Sequence, residues 1–334
     1  MLVDGGLFGS LDTIPDRVKR LEAAGYDGAF SAEVSSNPFL PLVLGAEHSE
    51  RIELLTGIAV AFARNPMNLA NMAHDLNAYS KGRFTLGIGS QIRPHITKRF
   101  SMPWSHPAER MREFILAMRA IWDCWYKDEP LNFEGEFYTH TLMTPMFVPA
   151  ELEYGAPKVM LAAVGPRMAE VAGETADGLL AHAFTTERYM REVTLPAIER
   201  GLAKAGRDGK DFQLSCPLFV VSGKNEEAMA ASKAAHCKQI AFYGSTPAYR
   251  PVLEMHGWGA LQDELNILSK RGEWDAMGER ITDDILDEFA IVAEPKDVAA
   301  RIHARCGDIL DRIVCSMEIF EPEEQQDFVK SLKG

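Results

Sequence analysis

No run of eighteen apolar residues occurs in this chain of 334, so a membrane-spanning helix is not expected. Cysteine is scarce and scattered. The five residues (Cys124, Cys216, Cys237, Cys306 and Cys315) contain no CxxC pair, which fits reduced thiols in a cytoplasmic protein better than a disulfide framework or a zinc site. Positive charge is also in deficit. With 35 Lys and Arg against 48 Asp and Glu, the net charge is −13, which argues against binding to nucleic acid or to an anionic membrane surface. The nine histidines are dispersed and no pair has the spacing of a metal face, so no metal is expected. The chain opens Met1-Leu2-Val3-Asp4, without a basic segment leading into an apolar one, and no secretory signal is expected. Gly87-x-Gly89 lacks the third glycine of a dinucleotide fingerprint, and there is no P-loop, G-x-S-x-G elbow or HExxH.

A hydrophobic fraction of 46% with 25% charged residues is that of a globular protein with one large core, and the fifteen methionines are expected to fill gaps in it. Short apolar runs rich in β-branched residues alternate with stretches of helical period, the pattern of a parallel sheet with crossover helices. The strands are expected near 2–7, 27–32, 52–60, 83–89, 158–164, 177–182, 212–221 and 312–317. Ile14, Val18 and Leu21 mark one face of a helix over Leu11 to Ala24, stopped by Gly25. A second helix opens at Pro66 and runs to Tyr79, ahead of Gly82. Eight strands favour a closed (β/α)8 TIM barrel, although periodicity alone does not separate it from an open doubly wound sheet. Two connections are too long for plain crossovers: about 91–157, with a helix around Glu109–Trp125, and about 223–311, with helices near 225–242, 260–270 and 295–306. One domain over 1–334, elaborated after strands four and seven, is the expected organisation.

In a barrel, the loops that follow the strands build the active face, so chemistry-bearing residues at strand ends are the candidates. Glu33 ends the second strand. His95 lies beyond the fourth, beside Lys98 and Arg99, a basic cluster that either faces an anion or is simply a solvated loop. Gly165 stands where a strand gives way to a helix, where free amides and the helix dipole can meet an anion and Arg167 adds a mobile charge; a plain crossover opening would look the same. His182 ends the sixth strand, followed by Ala183, Thr185 and Thr186, and reads either as a ligand contact or as a hydrogen-bonded core histidine. Trp104, His106 and His140 are weaker candidates for the pocket mouth.

Two longer blocks carry a resemblance. The first is Thr56-Gly57-Ile58-Ala59-Val60, Arg64-Asn65-Pro66 and Ser80-Lys81-Gly82-Arg83-Phe84-Thr85-Leu86-Gly87-Ile88-Gly89-Ser90. The second runs from Val164-Gly165-Pro166-Arg167-Met168 through Ala172-Gly173 to Ala176-Asp177-Gly178. Together they resemble the bacterial luciferase-like superfamily, and the second is most similar to its branch of oxidoreductases that use the deazaflavin coenzyme F420. The resemblance covers roughly residues 1–320. It implies hydride transfer between coenzyme F420 and a small organic substrate, in a homodimer packed through early helices. It implies cofactor contacts at Gly57, Ile58, Gly89, Ser90, Val164, Gly165, Pro166, Arg167, His182 and Ala183, and a non-proline cis peptide at Gly57–Ile58 behind the cofactor ring. The basic cluster would then face the coenzyme's phosphate, its polyglutamate tail, or the substrate. Where the family often has an acid followed by His, this chain has Glu33 and Val34, so a His donor is excluded there. Glu33 and His95 are the expected catalytic side chains. An FMN-dependent monooxygenase, a non-catalytic flavin-binding barrel and a cofactor-independent lyase or isomerase barrel remain alternatives.

Overall fold

The computed structural model describes residues 1–315 and 322–333. Eight parallel strands close on themselves: β1 (Leu2–Gly6), β2 (Gly28–Ser31), β3 (Glu53–Thr56), β4 (Phe84–Gly89), β5 (Lys158–Ala163), β6 (Gly178–Ala181), β7 (Gln213–Pro217) and β8 (Arg312–Val314). Neighbours pair in order round the ring, β1 with β8 and β3 directly with β4, so no edge remains open. Their crossover helices are α1 (Ile14–Ala23), α2 (Leu40–Glu47), α3 (Pro66–Tyr79), α4 (Pro107–Lys127), α5 (Pro166–Thr175), α6 (Leu195–Lys204), α7 (Val298–Cys306) and α8 (Pro322–Lys333). Covered on both faces, the strands need apolar residues throughout rather than in alternation, and every residue of β4 is buried. This is a (β/α)8 barrel.

Polar latches tie the N-terminal end of the barrel. Arg312 is 1% exposed and holds Asp4 at 2.8 Å and also Glu53, both of which hold its guanidinium charged. A Cβ on Gly28 would stand 2.2 Å from Asp4 Oδ1, so only glycine leaves room for this buried pair. Arg83 donates to the carbonyls of Ser80 and Ile52 at 2.8 Å, fixing the turn into β4. Asp177 accepts from Arg119 at 2.7 Å and from the Val159 amide at 2.8 Å, fixing the turn into β6.

Three strand expectations change. The run 52–60 is broken: the ladder leaves β3 at Thr56, the Gly57–Ile58 bond is cis, and Ala59–Val60 rejoin β4 with Ala59 opposite Ile88. The run 212–221 is divided because Pro217 has no amide to continue the ladder; Phe219–Val221 instead pairs with Ala290–Val292 in a separate two-stranded sheet. The last strand stops at Val314, and residues 316–317 lie outside the described residues.

Both long connections are structured. The first folds a hairpin, Phe133–Glu134 against Thr139–His140, onto α4, where the Glu113 carboxylate accepts the amides of Glu136, Phe137 and Tyr138. The second carries helices at Glu226–Gly244, Arg250–Met255, Gly259–Arg271, Trp274–Gly278 and Asp283–Phe289. These pack a hydrophobic cluster of their own around Ile240, Leu253, Leu265 and Phe289, joined by Phe184 from the loop after β6.

Candidate active site

At the C-terminal rim, the ends of β2 and β3 are laced together. Gly57 N–H donates to Ser31 O at 2.8 Å and Glu33 N–H to Ile58 O at 3.1 Å. The Glu33 side chain, 8% exposed, accepts from both Arg64 nitrogens, Nη1 at 2.6 Å and Nη2 at 2.9 Å, and from the Val60 amide at 2.7 Å. Its carboxylate is therefore saturated by its own chain. Ile58 leans over β4, where a Cβ on Gly89 would stand 2.9 Å from Ile58 Cδ1. Thr56 crosses to Gly87, its hydroxyl donating at 2.7 Å to the carbonyl and accepting at 2.9 Å from the amide. Ser90 is half-buried, and Gln91, at φ 60°, turns the chain out of the barrel.

Across the rim, Val164 and Gly165 lead from β5 into α5. Gly165 is the N-cap residue of that ten-residue helix and no side chain caps it. Pro166 has no amide, and the Arg167 and Met168 amides precede the first intrahelical bond, made by Ala169 to Gly165 O. A Cβ built on Gly165 meets nothing within 4 Å. Arg167 itself turns outward and pairs with Glu109 at 3.2 Å and Glu170 at 2.7 Å.

On the adjacent strand, His182 is enclosed by aromatic rings, Tyr243 edge-on at 4.6 Å and Tyr249 tilted at 4.8 Å. Burial lowers its pKa to about 4. The Phe184 amide donates to its Nδ1 at 3.0 Å, so the neutral ring carries its proton on Nε2. The imidazole is thus an uncharged donor at the end of β6, next to half-buried Ala183. Thr186 is occupied elsewhere, capping the Tyr189 amide at 3.1 Å and meeting His256 at 2.9 Å.

His95 lies exposed on the π-helical turn His95–Arg99 beyond β4. Trp104 packs edge-on against Phe62 at 5.7 Å, whereas His140 belongs to the outer hairpin with Nε2 buried and unpartnered. The strand-end candidates therefore gather on one rim, while the Ser80–Arg83 and Asp177 parts of the two sequence blocks serve the opposite end. Three contributors lie beyond the reach of the sequence patterns. Arg64 is visible in the Arg-Asn-Pro spelling, but no local signal pairs it with Glu33, 31 residues away. Tyr243 and Tyr249 sit in the second insertion, where no local pattern points to His182. Among the described residues, no group of three or more His, Cys, Asp or Glu is placed to hold a metal, and no helix is long and apolar enough to cross a membrane.

A closed parallel barrel with glycines, free amides and a neutral imidazole at its C-terminal rim defines a (β/α)8 barrel protein, a fold whose functional sites are built on that rim. The sequence model of the luciferase-like monooxygenases matches residues 3–311, and the chain belongs to that family of oxidoreductases. It is 54% identical over 312 residues to an uncharacterized protein of Mycobacterium tuberculosis, covering 93% of this chain and 92% of that one. It is 28% identical over 294 residues, 86% and 83% of the two chains, to 5,10-methylenetetrahydromethanopterin reductase of Archaeoglobus fulgidus. Among solved structures, the coenzyme F420 dependent tetrahydromethanopterin reductase of Methanopyrus kandleri superposes with a TM-score of 0.78 at 20% identity, covering 98% of this chain and 96% of that one.

Proposed function

We propose that this protein is an F420-dependent oxidoreductase that transfers a hydride between the deazaflavin and a small organic substrate. One coincidence carries the reading. The uncapped N-terminus of α5 and the neutral donor His182 end adjacent strands, β5 and β6, in a chain similar over most of its length to methylenetetrahydromethanopterin reductase. Coenzyme F420, when bound, supplies a carbon centre that gives or takes a hydride and reacts poorly with oxygen.

The residues fit such a group. Space around Gly165 admits a phosphate to the Arg167 and Met168 amides, where the helix dipole adds to the attraction. His182 donates from Nε2 without adding charge, alongside Val164, Pro166 and Ala183. Gly57, Ile58, Gly89 and Ser90 form the wall behind the ring. Glu33, with both oxygens taken, acts as a positioning residue: together with Arg64 it fixes segment 57–64. We assign His95 to the substrate side of the mouth, where its ring is free to make a hydrogen bond. The reading includes a homodimer, its contact made by the exposed apolar residues Leu40 and Val43 on α2 and Met72 and Tyr79 on α3.

Separate fluorescence titrations with coenzyme F420 and with FMN test the cofactor. Micromolar binding of the deazaflavin alone is expected. Tight binding of FMN alone turns the reading to a monooxygenase that uses reduced flavin and oxygen. Binding of neither removes the cofactor assignment.

A further inference from the structure

Acidic residues are spread densely over this chain, 48 in 334, yet none occurs between Asp75 and Glu109. The middle of that gap is the loop that leaves the barrel after β4. It carries Arg93, His95, Lys98 and Arg99, all exposed. Elsewhere on the surface cations mostly find carboxylates, as Arg191 does with Glu187 and Asp308, and Arg250 with Glu254 and Asp263. Here, among the described residues, Arg93, His95 and Lys98 have no side-chain partner, and Arg99 meets only a backbone carbonyl and a ring.

The loop is also anchored. Ile96 is fully buried beneath the turn, Met102 N–H donates to Ile96 O at 2.9 Å, and Trp104 packs on Phe62. Arg99 donates to the Val34 carbonyl, just beyond β2, and its guanidinium lies 4.9 Å from the Phe100 ring centroid. The unpaired cations are therefore held at the rim, over the ends of β2 and β4, rather than carried on a free arm.

We propose that the turn Arg93–Arg99 is an anion-recognising subsite at the barrel mouth, taking a phosphate or carboxylate borne by the ligand that enters there. A molecule of net charge −13 repels an anion at long range. A cluster of cations without carboxylate partners at the entrance counters that field locally, within a Debye length of about 10 Å at 0.1 M salt. The anion is either the cofactor's own tail or a group on the substrate, and the chemistry of recognition is the same. The inference rests on the barrel mouth being the ligand site proposed above.

The test compares the wild type with R93Q/K98Q, leaving Arg99 to its anchoring contacts. K81Q/K158Q, which removes two exposed cations from the other end of the barrel, controls for net charge. All three are expected to melt alike. Fluorescence titrations use coenzyme F420 and its tail-less chromophore, at low and high salt, and a parallel arm follows tryptophan emission as inorganic phosphate is added to free and cofactor-loaded protein. If the anion is the tail, R93Q/K98Q binds whole F420 roughly tenfold more weakly at low salt, the difference closes at high salt, and the tail-less form is unaffected. If it belongs to the substrate, cofactor affinities match and only proteins with Arg93 and Lys98 take up phosphate when loaded. Equal behaviour of wild type and R93Q/K98Q in both arms overturns the subsite. Failure of every protein to bind F420, with phosphate uptake by free wild type lost in R93Q/K98Q, removes the cofactor reading and leaves the subsite standing.

Discussion

Glu33 and Arg64 meet through two hydrogen bonds while 8% and 19% exposed, so removal of either strands the other in a poorly solvated place. Glu33→Gln is expected to cost about 2–3 kcal/mol, toward the lower end for a buried pair because Arg64 retains some water. Urea unfolding measures it; a change within error would mean that the pair does not secure segment 57–64. His182 makes a different prediction, in pH. Its folded pKa, about 4, lies below the usual 6.5 because burial disfavours the cation. The unfolded chain therefore binds the extra proton first. The stability that follows from keeping this ring neutral is complete above about pH 6.5 and is lost as pH falls toward 4. Melting curves across that window should show His182→Asn with a shallower acid decline than the wild type, and equal slopes would refute the assignment.

At the scale of an element, two glycines on the same barrel have opposite tolerance. A Cβ on Gly87, within β4, would lie 1.9 Å from the Thr56 carbonyl oxygen, a backbone atom that cannot yield without breaking the pairing of β3 and β4. Gly87→Ala is expected to give insoluble or unfolded protein. Gly165, at φ −86°, has nothing within 4 Å of the added carbon, so Gly165→Ala should fold and melt like the parent. It should nonetheless weaken F420 binding by about tenfold, the equivalent of about 1.4 kcal/mol, by crowding the free amides that open α5. A fluorescence titration that found full affinity in Gly165→Ala would detach that helix from the cofactor.

For the whole molecule, the closed ring depends on its N-terminal latch. Asp4→Ala leaves Arg312 buried with only Glu53 to answer it, and a loss of about 3–5 kcal/mol is expected by thermal or urea unfolding. The proposed dimer has its own check. Val43→Glu puts a charge on α2, which also exposes Leu40 and packs beside α3, where Met72 and Tyr79 are exposed. Sedimentation should show a monomer for Val43→Glu and a dimer for the wild type; a monomeric wild type removes the dimer.

The sequence by itself determined the order and type of the barrel's elements. Apolar β-branched runs, proline at helix starts and glycine at helix ends are local signals, and five of the eight strands are marked out by them to within one or two residues. The run 52–60 holds a break that no local signal shows, 212–221 divides after Pro217, and 312–317 extends past the last strand's end at Val314. The cis position was legible through the resemblance carried by Gly57, Gly89 and Gly165, and the strand-end candidates through the barrel pattern itself. Only the tertiary structure decided what those residues face. Ring closure brings Glu33 to Arg64 and sends Asp177 to the end opposite Gly165, although both lie in one sequence block. It also sets Tyr243 and Tyr249, some sixty residues downstream, around His182. Periodicity records which side of an element is buried; it holds no record of the partner, because the partner is chosen by packing between segments far apart in the chain.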